Sequence, residues 1–124
     1  MTTVVDASVV LAWLQDEAGA DAAEGHLMEG VIGAANWSEV LQKVRKHGAP
    51  AGVVARLLAS FGLTVVDVTR ADAEIAAGLW QQGTALSLAD RLCLALGIRA
   101  DLPVATADAA WTAIEDGPDV ILVR

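Results

Sequence analysis

The chain has 124 residues, enough for one domain with a substantial core. Its 8 Lys and Arg against 16 Asp and Glu leave a net charge of −8, which excludes nonspecific coating of nucleic acid, because that mode neutralises phosphates with basic side chains. Hydrophobic residues make up 55%, yet no apolar run approaches the roughly 18 residues of a membrane span. That surplus fits either a tightly packed α/β core rich in Ala and Val or an apolar surface covered by a partner or a second copy.

The opening MTTVVDAS has no basic stretch followed by an apolar one, so the expectation is a cytoplasmic protein. Residues 2–5 read as a buried strand, and a helix runs from Asp6 or Ala7 to about 15. A second helix, its amphipathic pattern weakened by alanines, covers 18–28, and a short strand covers 31–33. A helix opening at 35 or 36 runs to about 47, where Gly48 and Pro50 end it, and another spans 51–60. Residues 63–68 are β-branched and strand-like, and 71–82 are helical. Ser87 is a natural N-cap for a helix reaching about 99, followed by a strand at 103–105, a helix at 109–114 and a last strand at 120–123. Strands alternating with helices over 1–124 imply a single α/β domain with a mainly parallel sheet covered on both faces.

The helix beginning at Ser87 is apolar almost all round: Leu88, Leu92, Ala95 and Leu96 take one side, Cys93, Leu94, Gly97 and Ile98 most of the other. Asp90 shares the second side and is expected to face protein or a pocket, where a lone carboxylate needs a partner. It either closes a capping box with Ser87 or belongs to a site. Asp6 and Asp108 each follow a strand and open a helix, which places both at the carboxyl edge of the sheet, where open α/β folds bind ligands. Each is an N-cap by itself; two on one edge with Asp90 nearby point to a site. Cys93, the only cysteine, reads as packing and excludes an intrachain disulfide.

The stretches VVDASV, NWSEV, LSLADRLCLALG and VATADAAW resemble, in order and spacing, the motifs of PIN-domain ribonucleases, above all the VapC toxins of bacterial VapBC toxin–antitoxin pairs. The resemblance implies a PIN-like three-layer α/β/α sandwich and metal-dependent RNA cleavage. It carries the family's four acidic positions to Asp6, Glu39, Asp90 and Asp108 as catalytic residues, with Ser8 and Thr106 at the accompanying hydroxyl positions. It also implies a homodimer and a small antitoxin whose C-terminal segment shields the acidic site. Clustered carboxylates repel one another, and hard oxygen ligands suit Mg²⁺ or Mn²⁺, so Asp6, Asp90 and Asp108 are the expected metal ligands and Glu39 the group that holds or deprotonates the attacking water.

Pattern alone reads Glu39 differently. Trp37, Val40, Leu41 and Val44 form the apolar stripe of its helix, and Glu39 stands off that stripe, four residues before Lys43, as a solvated ion pair worth about 0.3–0.5 kcal/mol. The group Lys43, Arg45 and Lys46, and separately Arg91, are either RNA-phosphate contacts or, for the cluster, a solvated helix end favoured by the dipole. Trp13, Trp37, Trp80 and Trp111 read as core or interface anchors. A receiver module would need a late pocket lysine, and Lys occurs only at 43 and 46; a haloacid-dehalogenase-like enzyme would want an aspartate where Ser8 stands. A weakly catalytic PIN domain serving as a protein-binding scaffold is the remaining alternative.

Overall fold

The computed structural model describes residues 2–124. Five short strands, β1 (Val4–Val5), β2 (Val31–Gly33), β3 (Thr64–Val66), β4 (Val104–Thr106) and β5 (Val120–Leu122), lie in the order β3-β2-β1-β4-β5, and every pairing is parallel. Parallel neighbours require crossovers. These are α1 (Ala7–Leu14) and α2 (Ala20–Leu27) between β1 and β2, then α3 (Ala34–Lys46) and α4 (Ala51–Ser60) before β3. After β3 come α5 (Arg70–Gly78) and α6 (Leu88–Ala100), and a 3₁₀ turn, Ala109–Ala113, joins β4 to β5.

The strand alternation sorts the core into two layers. Val5, Ile32 and Ala105 face one side and pack with Val9, Val10, Ala23, Leu27, Val40 and Leu58 from α1 to α4. Their neighbours Val4 and Val104 face the other side, against Cys93, Leu94 and Leu96 of α6 and Trp111 of the 3₁₀ turn. The result is the expected three-layer α/β/α sandwich, with the sheet wholly parallel.

Helix α6 has no face for water in its middle: Cys93, Leu94, Ala95, Leu96 and Gly97 are all buried. It lies so close to β4 that a Cβ on Gly97 would stand 2.5 Å from Val104 Cγ2 and 3.1 Å from the Leu102 carbonyl oxygen. Arg99, near the other end of the helix, grips Asp72 of α5 through two hydrogen bonds, and Asp72 also closes a capping box with Thr69. Burial pushes the Asp72 carboxyl up, but the Arg99 guanidinium and the Thr69 N–H outweigh it and hold the group below its usual range. That grip fixes α5 on α6.

Several elements are shorter than their sequence patterns. The helix expected over 71–82 ends at Gly78; beyond it Trp80 is 60% exposed and Gly83 adopts a left-handed backbone at φ +82°. The helix expected from 18 starts at Ala20, after Gly19 turns left-handed at φ +90°. The strand expected over 63–68 is limited to Thr64–Val66 because its only partner, β2, is three residues long. The last helix is a single 3₁₀ stretch.

The Gly97 contact is tested by Gly97→Ala. Helix propensity would favour alanine by about 1 kcal/mol, but overpacking against a β-branched side chain and a backbone carbonyl costs about 1–3 kcal/mol. Thermal unfolding should therefore show a Tm lowered by several degrees; a higher Tm would mean that the α6–β4 gap relaxes freely.

Candidate active site

The chain winds from β1 to β2 to β3 on one side and then crosses to β4 on the other. The order reverses between β1 and β4, and beyond their carboxyl ends such folds leave a crevice. Asp6 is the first residue past β1, and Thr106 and Asp108 stand at the end of β4. The N-termini of α1, α3 and α6 lead from this edge, so their positive dipole ends face it.

Asp6 is only 5% exposed and its carboxylate is almost fully engaged. Oδ1 accepts from Ser8 Oγ at 2.6 Å and from the Val9 N–H at 3.2 Å, and Oδ2 accepts from Thr106 Oγ1 at 2.8 Å. The two hydroxyls pass the connection on. Ser8 Oγ accepts from the Ala107 N–H at 2.9 Å, and Thr106 Oγ1 from the Asp108 N–H at 3.1 Å. Asp6 thus caps α1, as its position suggested, and also ties β1 to the loop leaving β4. Burial raises its pKa; the bonds from Ser8, Thr106 and Val9 oppose this, and the charge of Asp90 adds to the rise.

Asp90 is half-buried and does close the capping box: its N–H donates to Ser87 Oγ and its Oδ2 accepts from the Ser87 N–H, both at 3.1 Å. The cap leaves its charge acting on the crevice, where it raises the pKa of both Asp6 and Glu39. Glu39, on the second turn of α3, is half-buried and forms no ion pair with Lys43 among the described residues. Instead Asn36 Nδ2 donates to its Oε1 at 3.2 Å. Burial raises its pKa first, with Asp90 and Asp6 adding to the effect against the Asn36 hydrogen bond. The solvated pair read from the i,i+4 spacing is absent because a tertiary neighbour, α6, lies along that face. Beneath the three acids lies Cys93, whose thiol is pushed well up by burial and then by Asp6, Asp90 and Glu39.

Asp108 stands apart. Its side chain is exposed and caps the 3₁₀ turn, Oδ1 accepting from the Ala110 N–H at 3.0 Å. It borders a groove of about 420 Å³ lined also by Leu79, Leu86, Ile114, Glu115 and Asp116. Its backbone, through Thr106, is what joins it to Asp6. Of the basic candidates, Lys43, Arg45 and Lys46 occupy the exposed last turn of α3, where the dipole favours cations. Arg91 is half-buried and reaches across to α5, Nη1 donating to the Ala76 carbonyl at 3.0 Å. Asn36 is the residue that sequence reasoning passed over; its one signal was an asparagine, a poor helix former, three residues before Glu39.

Asp90 acts on Asp6, and Asp90 and Asp6 act on Glu39, with no cation among the groups that shift either; carboxylate oxygens match a hard divalent ion in charge and donor type. Among the described residues no group of three or more acidic, His or Cys side chains is placed to hold a metal ion. Mg²⁺ keeps several waters and needs only one or two carboxylates, so the donor set fits such an ion without such a group.

Because burial raises the Asp6 pKa above its ordinary 3.8, ionised Asp6 destabilises the fold at neutral pH. The native state binds the proton more tightly than the unfolded chain, so this penalty fades as pH falls through the raised pKa and is gone below about 3.8. Asp6→Asn should therefore unfold several degrees higher than wild type at pH 7, the gap narrowing as pH falls, in paired melts without added metal. An equal gap at every pH would refute the burial argument.

The PIN domain family model matches residues 3–117. Curated protein sequences give no match. Among solved structures, a toxin–antitoxin complex from Klebsiella pneumoniae is 20% identical and superposes with a TM-score of 0.78 over 98% of each chain. DNA-bound VapBC from Salmonella typhimurium is 16% identical, with a TM-score of 0.74 over 100% of each chain. VapC20 from Mycobacterium tuberculosis, a toxin that cleaves the sarcin–ricin loop, is 15% identical, with a TM-score of 0.73 over 93% of this chain and 95% of that one. These structures share the fold, and with the family model running over nearly its whole length the chain belongs to the PIN domain family.

Proposed function

We propose that this protein is a Mg²⁺- or Mn²⁺-dependent endoribonuclease and the toxin component of a type II toxin–antitoxin pair. The observation that carries the reading is the buried, hydroxyl-braced Asp6 at the β1–β4 crevice, within the field of Asp90 and in turn acting on Glu39. Setting acidic groups where each raises another's pKa gives the fold no stability, and perturbed titratable groups of this kind cluster at functional sites. The likeness to a sarcin–ricin loop cleaving toxin and to toxin–antitoxin complexes supports RNA as substrate and an antitoxin as partner.

In this reading Asp6, Asp90 and Asp108 would hold the cation, directly or through water. A bound divalent ion would supply charge neutralisation at the phosphate and activation of a water. Glu39 holds the attacking water and takes its proton, a role suited to a carboxylate whose pKa burial has raised. Ser8 and Thr106 keep Asp6 oriented through the bonds already described. Lys43, Arg45 and Lys46 offer phosphate contacts to RNA extending past the crevice, and Arg91, held by α5, contributes its charge from within.

The chain works in the cytoplasm as a homodimer and is silenced by its antitoxin. Exposed Met28, Val53, Leu57, Val65, Trp80 and Leu88 supply apolar surface for such partners, and among the described residues no helix is long and apolar enough to cross a membrane. The capped, outward Asp108 favours one other reading, a weakly catalytic PIN domain acting as a scaffold.

Incubating the purified protein with a pool of cellular RNAs and Mg²⁺ or Mn²⁺ separates the two. Discrete products are expected, abolished by EDTA and reduced about 10²-fold or more by Asp90→Asn, since several kcal/mol of charge stabilisation is at stake. Metal binding without cleavage would establish the scaffold reading instead.

A further inference from the structure

Asn36 has no place in the fold that stability alone explains. It is the third residue of α3, whose N-cap is Gly33 with no side-chain cap bond, so it does not serve the helix end. It is 1% exposed, and its Oδ1 has no hydrogen-bond partner among the described residues, a costly state for a buried acceptor. A leucine, of the same branched shape, would carry no such cost.

Both protons of its amide are used. Nδ2 donates to Glu39 Oε1 and to the Ala89 carbonyl oxygen, each at 3.2 Å. Neither a carboxylate nor a carbonyl has a proton to give, so these partners fix which end of the amide faces them and leave Oδ1 as the unpaired atom. Ala89 immediately precedes Asp90 in the first turn of α6. One side chain therefore bolts the helix that carries Glu39 to the turn that carries Asp90. Burial, Asp90 and Asp6 all press Glu39 towards its protonated form, and the Asn36 N–H works against them.

We infer that Asn36 is a positioning residue: it holds the Glu39 carboxylate in a fixed place relative to Asp90 across the α3–α6 contact, and the fold is less stable for keeping it. Its kinetic consequence rests on the ribonuclease reading; its geometric one does not.

The test uses the full-length protein and the variants Asn36→Leu and Asn36→Ala, each alone and with Glu39→Gln. On an RNA oligonucleotide that wild type cleaves, either substitution should lower kcat roughly ten- to hundred-fold, the loss expected of a displaced catalytic group. KM should stay within about two-fold, and Asn36→Leu should melt no lower than wild type. In the Glu39→Gln background the same substitutions should cost nothing further. Retained kcat, a change confined to KM, or an equal loss in both backgrounds would overturn the inference. A second readout needs no substrate: the Asn36 side-chain NH₂ resonances should be slow to exchange with water and should shift in Glu39→Gln. If wild type cleaves no RNA while these resonances respond to Glu39, the nuclease reading fails and the positioning role stands; resonances indifferent to Glu39 would sink the positioning role itself.

Discussion

The geometry of the crevice depends on how one carboxylate is kept away from water. Asp6 is buried at the end of the central strand, and an ionised group there is tolerated only if its lone pairs are occupied. Ser8 and Thr106 fill them with hydroxyl donors, and each hydroxyl in turn accepts a backbone N–H from the loop leaving β4. Satisfying one charge thereby fixes the start of α1, the junction of β1 with β4, and the direction in which the chain departs towards Asp108. The hydroxyls are suited to this because each can donate once and still accept; a carboxamide in either place would leave a group unmatched.

Helix α6 shows the same economy on a larger scale. Its middle is a plug of five consecutive buried residues that fills the second core layer, and its first turn is the part that reaches the crevice. Asp90 is therefore rigid for reasons that have nothing to do with chemistry: the capping box with Ser87 pins the carboxylate, and the packed helix, pressed onto β4 at Gly97 and clamped to α5 through Arg99 and Asp72, pins the cap. The capping and site readings, which appear as rivals for this residue in the sequence, are compatible: the cap fixes Asp90 while its charge acts on Asp6 and Glu39.

What the sequence made legible followed from local rules. The short strands at β1, β2 and β4, the all-round apolar helix, and the Asp-after-strand positions each report on neighbours within a few residues, and each is found in the structure. What was not legible required a tertiary neighbour. Glu39 and Lys43 have the spacing of a surface pair, but α6 lies beside that face of α3 and leaves Glu39 facing Asn36 and the other acids. Arg91 looks free beside Asp90, yet its partner is a carbonyl fifteen residues back in α5. Asn36 reads only as a residue that could open its helix, because both acceptors that explain it are visible only once α3 and α6 meet. Asp108 was legible as a cap and as an edge residue, but not as a side chain turned outward.

The charge distribution adds a final constraint. The chain is strongly acidic overall, Asp6, Asp90 and Glu39 lie towards one edge, and its basic cluster sits in the last turn of α3, about 6–10 Å along the axis from Glu39 at 1.5 Å per residue. A polyanion approaching the edge meets repulsion from both the net charge and the site, and the three helix N-termini only partly offset it. The same repulsion acts within the protein, since the charge of Asp90 adds to the cost that burial already places on ionised Asp6 and Glu39. A small divalent cation bound at that edge would relieve both at once, and as a ligand of the folded form alone it would stabilise the fold. Strain among the acids and repulsion of nucleic acid are thus two consequences of one unbalanced charge, and an ion that removed the first would also reduce the second.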